Sequence, residues 1–134
     1  MKIKKIGIIG SGSIAKKHTN AIYKINKKIE IIKISKKKQQ NYFTISSAIL
    51  LGLDGVIICS PADSHLRYIE ILNKEKIPFI VEKPICVHHQ IKILEKIIKN
   101  LKKKTTSMLG YQFRYDEILV KFKKILEENR IGII

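Results

Sequence analysis

The chain has 134 residues, of which 45% are hydrophobic and 28% charged, enough for one domain with a real core and too apolar for a disordered polymer. Its formal net charge of +16 raises polyanions as partners, but Arg67, Arg114 and Arg130 are the only arginines among 27 basic residues, and the lysines are scattered along the chain. A Lys- and Ile-rich, Arg-poor balance is what an AT-rich coding sequence produces without selection for a polyanion. The aromatics are not interleaved with basic residues as base stacking needs, so no specific nucleic-acid partner is expected.

No apolar run approaches membrane-spanning length, and the apolar stretch after the N-terminal lysines is too short for a signal segment. Cys59 and Cys86 form no C-x-x-C pair and sit in no metal-ligand spacing. They read as reduced thiols of a cytoplasmic protein, with no metal and no membrane partner.

The first element is a short buried strand around Ile6, Ile8 and Ile9, and Gly10-Ser11-Gly12-Ser13-Ile14-Ala15 follows it without a gap. The spacing is G-x-G-x-x-G/A. Gly10 permits a tight turn, Gly12 leaves the backbone open to a pyrophosphate, and Ala15 allows close packing of the helix on the sheet. That helix, with an apolar pattern of Ile14, Ala21, Ile22 and Ile25 and a structural His18, offers the phosphates unpaired N–H groups and the positive end of its dipole. An ordinary strand-turn-helix shares the glycines, but the placement between strand and helix favours a dinucleotide.

Residues 30–34 (EIIKI) form a second strand, which ends at Ser35-Lys36-Lys37-Lys38. A carboxylate at this point would bind the ribose hydroxyls of NAD, whereas a hydroxyl followed by lysines suits the 2′-phosphate of NADP. A solvated loop in a Lys-rich chain remains the competing reading. On this basis NADP is expected over NAD, which stays possible.

Residues 39–53 leave room only for a brief strand at 42–44 and one short helix capped by Ser46 or Ser47, so the second crossover is shortened. Residues 54–60 (DGVIICS) are a buried strand stopped by Pro61. Asp63 or Ser64 then caps a helix carrying Leu66, Ile69, Ile71 and Leu72. Residues 77–81 (IPFIV) lead into Glu82-Lys83-Pro84. An amphipathic helix follows with Ile91, Leu94, Ile97, Ile98 and Leu101, after a solvated start at His88-His89, and ends in three lysines that suit its dipole.

Residues 105–111 are a sixth strand candidate. Residues 116–129 form a last helix with a stripe of Ile118, Phe122, Ile125 and Leu126. Alternating strands and helices with buried strands predict an α/β fold, a Rossmann-type doubly wound parallel sheet. Ligands of such sheets bind beyond the carboxyl ends of the strands, where Gly10 to Ser13, Ser35, Ser60-Pro61 and Glu82-Lys83-Pro84 all fall.

The segments GIIGSGSIAKKH, DGVIICSPADSH, FIVEKPI and GYQFRYDE, in this order, resemble the amino-terminal half of the Gfo/Idh/MocA family of NAD(P)-dependent oxidoreductases. The pairing of a Pro-x-x-x-His turn with Glu-Lys-Pro after the next strand is the specific part. The resemblance implies that Ser60, Pro61 and His65 line the nicotinamide side of a dinucleotide site. For His65 a local hydrogen bond at a helix start is the alternative. It also implies that Lys83 reaches the junction of nicotinamide and substrate, and that Gln112, Arg114 and Tyr115 border the cleft. An ammonium held between Glu82 and Pro84 can polarise a substrate hydroxyl or carbonyl.

Residues 1–115 are thus expected to be the dinucleotide-binding domain, and 116–134 a connecting helix leading toward a substrate domain that this chain lacks. In the family that second αβ domain supplies the catalytic acid/base, most of the substrate pocket and the oligomer interface. The leading expectation is the cofactor-binding portion of a sugar or cyclitol oxidoreductase with a polyhydroxy substrate, turning over weakly or not at all by itself. The alternative is a non-catalytic dinucleotide-binding module that needs a partner chain.

Overall fold

Isoleucine and valine carry the sheet. The computed structural model describes residues 3–35, 43–101, 105–128 and 130. Five strands, β1 (Lys5–Ile9), β2 (Glu30–Ile34), β3 (Gly55–Ile58), β4 (Phe79–Val81) and β5 (Ser107–Leu109), pair in parallel in the order β2-β1-β3-β4-β5. The chain leaves β1 to one side for β2 and to the other for β3, so the strand order reverses beside β1. At such a reversal a crevice opens between neighbouring strand ends.

Period-two alternation assigns each strand residue to a face. Ile9, Ile32, Ile34, Val56, Ile58, Phe79 and Val81 pack under α2 (Ile45–Leu50), α3 (His65–Lys74) and α4 (Ile91–Asn100), through Ala48, Leu66, Ile69, Leu72 and Ile97. Ile8 and Ile57, flanked by Ile6, Ile31 and Ile80, meet α1 (Ser13–Ile25) through Ala15 and Ile22. Each fully buried Leu or Ile side chain contributes about 1.5–3 kcal/mol relative to exposure, so burial on both faces fixes the register. Gly7 sits at the centre of this packing, where an added Cβ would stand 2.9 Å from Ile34 Cδ1 and 3.1 Å from Leu53 Cδ1.

The parallel α/β sheet and the shortened second crossover are as the sequence predicts: a six-residue helix stands between β2 and β3. Several local details differ. α2 is capped not by a serine within it but by Thr44, whose hydroxyl accepts from the Ser47 N–H at 3.1 Å. The brief strand expected at 42–44 reduces to a single bridge between Ile34 and Phe43; Tyr42 lies outside the described residues, as do Lys36 to Lys38, Lys102 to Lys104 and Ile131 to Ile134. Among the described residues there are therefore five strands.

A 3₁₀ turn (Ala62–Ser64) precedes α3, and no side chain caps that helix. The Ser64 hydroxyl is occupied elsewhere, 2.7 Å from both the Ser60 hydroxyl and the Pro61 carbonyl. On α1 the buried residues are Ala15 and Ile22, while Ile14 and Ile25 face outward, Ile25 at 83% exposure. The small Ala15 brings that face, with Ile22, against the sheet and leaves Ile14 and Ile25 outside. α5 (Glu117–Glu127) begins at Asp116, whose carboxylate accepts from the N–H groups of Ile118 (3.0 Å) and Leu119 (3.1 Å). None of its described residues is buried.

Candidate functional site

The turn after β1 is shaped by one close approach. Gly10 has φ +113°, and a Cβ there would lie 2.8 Å from the Cys59 carbonyl oxygen, so only glycine lets β1 leave the sheet beside β3. Its N–H donates to the Ile34 carbonyl at 3.0 Å, and the Cys59 N–H donates to the Ile9 carbonyl at 2.8 Å. Three strand ends are thereby tied together. Gly12 has an ordinary extended φ of −75°, and nothing lies within 4 Å of where its Cβ would be. It is the N-cap of α1 and, having no side chain, puts no capping group over the first N–H groups of the helix, beside the open space that a Cβ would enter.

That space is a cleft of about 660 Å³ at the carboxyl ends of β1, β2 and β3. Gly10, Ser11, Gly12, Ser35, Ser60 and Pro61 line it, together with Ile9, Cys59, Asp63, Ser64 and Tyr68. A bare backbone, a helix start and four serines (Ser11, Ser35, Ser60 and Ser64) border one volume. These groups fit a phosphate-bearing ligand: the missing Cβ of Gly12 is room that no part of the chain fills, and the dipole end of α1 favours an anion.

A second cleft of about 310 Å³ opens between α1, β4, β5 and the turn at 111–115. Ile14, His18, Glu82, Gln112, Met108, Tyr111 and Tyr115 are among its walls. The fingerprint turn thus lines the larger cleft with Gly10 to Gly12 and the smaller one with Ile14. Ser13, Lys83, Pro84 and Arg114 are exposed and line neither. Lys36 lies outside the described residues.

His65 is placed differently from a cleft-lining residue. It is 1% exposed, and its ring bridges two carbonyls, Nδ1 lying 3.0 Å from the Pro84 oxygen and Nε2 2.6 Å from the Ser60 oxygen. Of the two roles open to it in the sequence, the structure supplies the hydrogen bonds. They join the turn after β3 to the turn after β4, where the Lys83–Pro84 peptide is cis.

Glu82 is half enclosed and accepts from two sides. Its Oε1 lies 2.7 Å from His18 Nε2, and its Oε2 accepts from the Lys83 main-chain N–H at 3.3 Å. Cys59, beside the larger cleft, has its thiol pushed up to about 12, first by burial and then by the negative charge of Glu82. Both effects favour the neutral thiol over the thiolate at this wall of the site. No cluster of potential metal ligands occurs among the described residues.

Two contributors escape a reading of the sequence. Tyr68, buried in α3, borders the larger cleft. Its signal was present, since it lies three residues after His65 on the buried face of the helix. The His18–Glu82 pair spans 64 residues and has no local signal.

Residues 4–111 match the family described as "Oxidoreductase family, NAD-binding Rossmann fold", Gfo/Idh/MocA. The chain is similar to inositol 2-dehydrogenase of Rhizobium meliloti (strain 1021), 24% identical over 96% of this chain and 42% of that protein. It is also similar to glucose-6-phosphate 3-dehydrogenase of Bacillus subtilis (strain 168), 27% identical over 98% of this chain and 40% of the relative. Among solved structures, myo-inositol 2-dehydrogenase from Lactobacillus plantarum superposes with a TM-score of 0.81 at 19% identity, over 99% of this chain and 43% of that one, which supports the fold. The chain therefore spans about two fifths of the length of these relatives. With the family matched over residues 4–111 and a parallel sheet that begins with a strand and a glycine turn, the chain belongs to the Gfo/Idh/MocA oxidoreductases with an NAD-binding Rossmann fold.

Proposed function

We propose that the chain is the cofactor-binding portion of an NAD(P)-dependent oxidoreductase acting on a hydroxyl or carbonyl carbon of a sugar or cyclitol. The observation that carries this reading is the opening at Gly12, an uncapped helix start facing a cleft of about 660 Å³. A bound nicotinamide dinucleotide would supply the hydride chemistry.

The residues of this chain bind and orient. Gly10, Ser11, Gly12 and Ser13 hold the pyrophosphate through main-chain N–H groups, and Ile14 gives an apolar wall at the next step of α1. Ser60 and Pro61 border the same cleft from β3, with His65 behind them. Glu82, Lys83 and Pro84 stand at the end of β4, where the exposed Lys83 ammonium polarises the substrate oxygen. Gln112 walls the smaller cleft beyond β5, and the exposed Arg114 follows it in the same turn, within reach of a ligand that extends past the cleft. The substrate class rests on what the relatives are called, and on no feature of this chain by itself.

NADP is preferred in this reading because Ser35 ends β2 on the cleft wall, followed in sequence by Lys36, with no carboxylate at that strand end. Titrating the chain with NADPH and NADH by fluorescence tests both parts. Tighter binding of NADPH is expected; a clear NADH preference overturns the NADP assignment, and binding of neither overturns the reading itself. Steady-state reduction of NADP with a polyol, abolished in Lys83→Met, would show that the chain needs nothing further for turnover.

A second reading, a non-catalytic dinucleotide-binding module working with a partner polypeptide, is favoured by α5, where Ile118 is 76% exposed and Phe122 49%. Solution size at rising concentration separates the two: growth with concentration supports docking along this stripe, and a constant monomer opposes it.

A further inference from the structure

The Glu82-Lys83-Pro84 turn is braced from both faces of the sheet. On one face, His18 of α1 reaches Glu82 Oε1 at 2.7 Å, and the other oxygen of that carboxylate accepts the Lys83 N–H at 3.3 Å. Gly110 makes room for it, since a Cβ there would stand 3.3 Å from Glu82 Oε1. The Glu82 N–H donates to the Ile58 carbonyl at 3.0 Å, so the residue is fixed at its backbone as well. On the other face, the buried His65 holds the Pro84 carbonyl at 3.0 Å.

We infer that His18 is a positioning residue: acting through Glu82, it sets the place of Lys83 relative to the phosphate-facing start of α1. The inference rests on the proposed role of Lys83 and adds the group that fixes it. His18 lies on the same helix that Gly12 begins, so the strut connects the phosphate end of the site to the ammonium end through one side-chain contact. A lysine on an otherwise exposed turn has many rotamers and a mobile main chain. Holding its N–H and both neighbours removes much of that freedom before any ligand arrives, which is how a supporting shell contributes to a reaction. An imidazole–carboxylate contact that is only part-buried can do this at little desolvation cost.

The test is nuclear magnetic resonance of the full chain labelled with 15N, comparing the unaltered protein with His18→Ala, His18→Gln and Glu82→Ala. The Lys83 amide, which donates to Glu82, is the reporter, and the Gly12 and Ser13 amides report on cofactor. His18→Ala and Glu82→Ala are expected to shift the Lys83 resonance, and His18→Gln, which keeps an N–H donor at similar reach, is expected to restore it. In His18→Ala, added NADPH should still shift Gly12 and Ser13 but no longer Lys83.

A Lys83 amide unmoved by His18→Ala, or moved equally by His18→Gln, overturns the inference. If neither NADPH nor NADH moves Gly12 or Ser13 in the unaltered chain, the cofactor reading fails, while the ligand-free spectra still decide the role of His18. Spectral dispersion in each variant checks that it is folded.

Discussion

Gly10 and Cys59 approach so closely that a methyl group cannot stand between them: a Cβ on Gly10 would lie 2.8 Å from the Cys59 carbonyl oxygen and 2.9 Å from its carbon. Both are backbone atoms of packed strand ends and cannot swing aside. Gly12, two residues on, meets nothing within 4 Å. The two glycines therefore answer to different demands. Gly10→Ala is expected to destabilise the fold by about 1–3 kcal/mol, combining a left-handed φ with a steric clash. Gly12→Ala should leave the melting temperature nearly unchanged and weaken dinucleotide binding about tenfold or more, some 1.4 kcal/mol. Thermal denaturation and cofactor titration of the pair check both outcomes. Equal stability loss in the two variants would contradict the assignment.

Lys76 offers a change in the stabilising direction. It has φ +57° just beyond α3; its N–H donates to the Asn73 carbonyl at 3.2 Å and that of Ile77 to the Leu72 carbonyl at 2.9 Å. This helix ending is one in which glycine is the usual occupant. Lys76→Gly relieves the left-handed conformation and is expected to stabilise the domain by about 1 kcal/mol. Chemical denaturation would reveal it as a higher midpoint at constant slope.

Asp54 ties the beginning of β1 to the loop before β3. Its Oδ2 accepts from the N–H groups of Lys4 (2.7 Å) and Lys5 (2.9 Å). These hydrogen bonds, Lys5 first and then Lys4, hold its carboxyl below the ordinary value of 3.8 against the opposing effect of burial, and the ammonium charges of the two lysines add a smaller push in the same direction as the hydrogen bonds. A depressed carboxylate stabilises the native state above its unfolded pKa, and this contribution disappears as pH falls through the folded value. The expected result is an acid limb of stability below pH 3.8 that is shallower in Asp54→Asn. Identical acid limbs in the two proteins would refute the coupling.

Cys59 works in the opposite pH range. With its thiol pushed up to about 12 from 9.0, the folded chain keeps a proton that the unfolded chain loses. The associated stability is complete below pH 9 and falls as pH rises toward 12. At pH 8 the thiolate fraction is on the order of a thousandfold below that of a free cysteine. In a Cys86→Ser background, alkylation of native Cys59 should be at least about a hundredfold slower than in the denatured chain. Comparable rates would place Cys59 in a far more open setting than the structure does.

The fold and the site were legible in the sequence to different depths. The glycine turn could be read because each glycine answers a local need, and the strand ends because buried parallel strands stand out as isoleucine runs broken by Pro61 and Pro84. The buried side of α1 was only partly evident: helical spacing offers Ile14 and Ile25 as readily as Ile22, and only the narrow gap to the sheet selects the face that carries Ala15 and Ile22. The cap of α2 went to Thr44 in place of Ser46 or Ser47 because a shift of two residues changes no local preference. His65 could be placed beside the cofactor region, but its two carbonyl partners come from turns 5 and 19 residues away. Contacts of that kind depend on the assembled sheet and have no periodicity to betray them.

Gly7 also limits how far this sequence can drift. Isoleucine occupies much of the interior, as at Ile8, Ile9, Ile34, Ile57 and Ile58, and lysine covers much of the surface, a bias that a shift in base composition can spread wherever a side chain has room. At Gly7 the space a side chain would need is already taken by Ile34, Leu53 and Val56, so the bias stops there. The larger the surrounding side chains become, the more strictly β1 must keep that one residue bare.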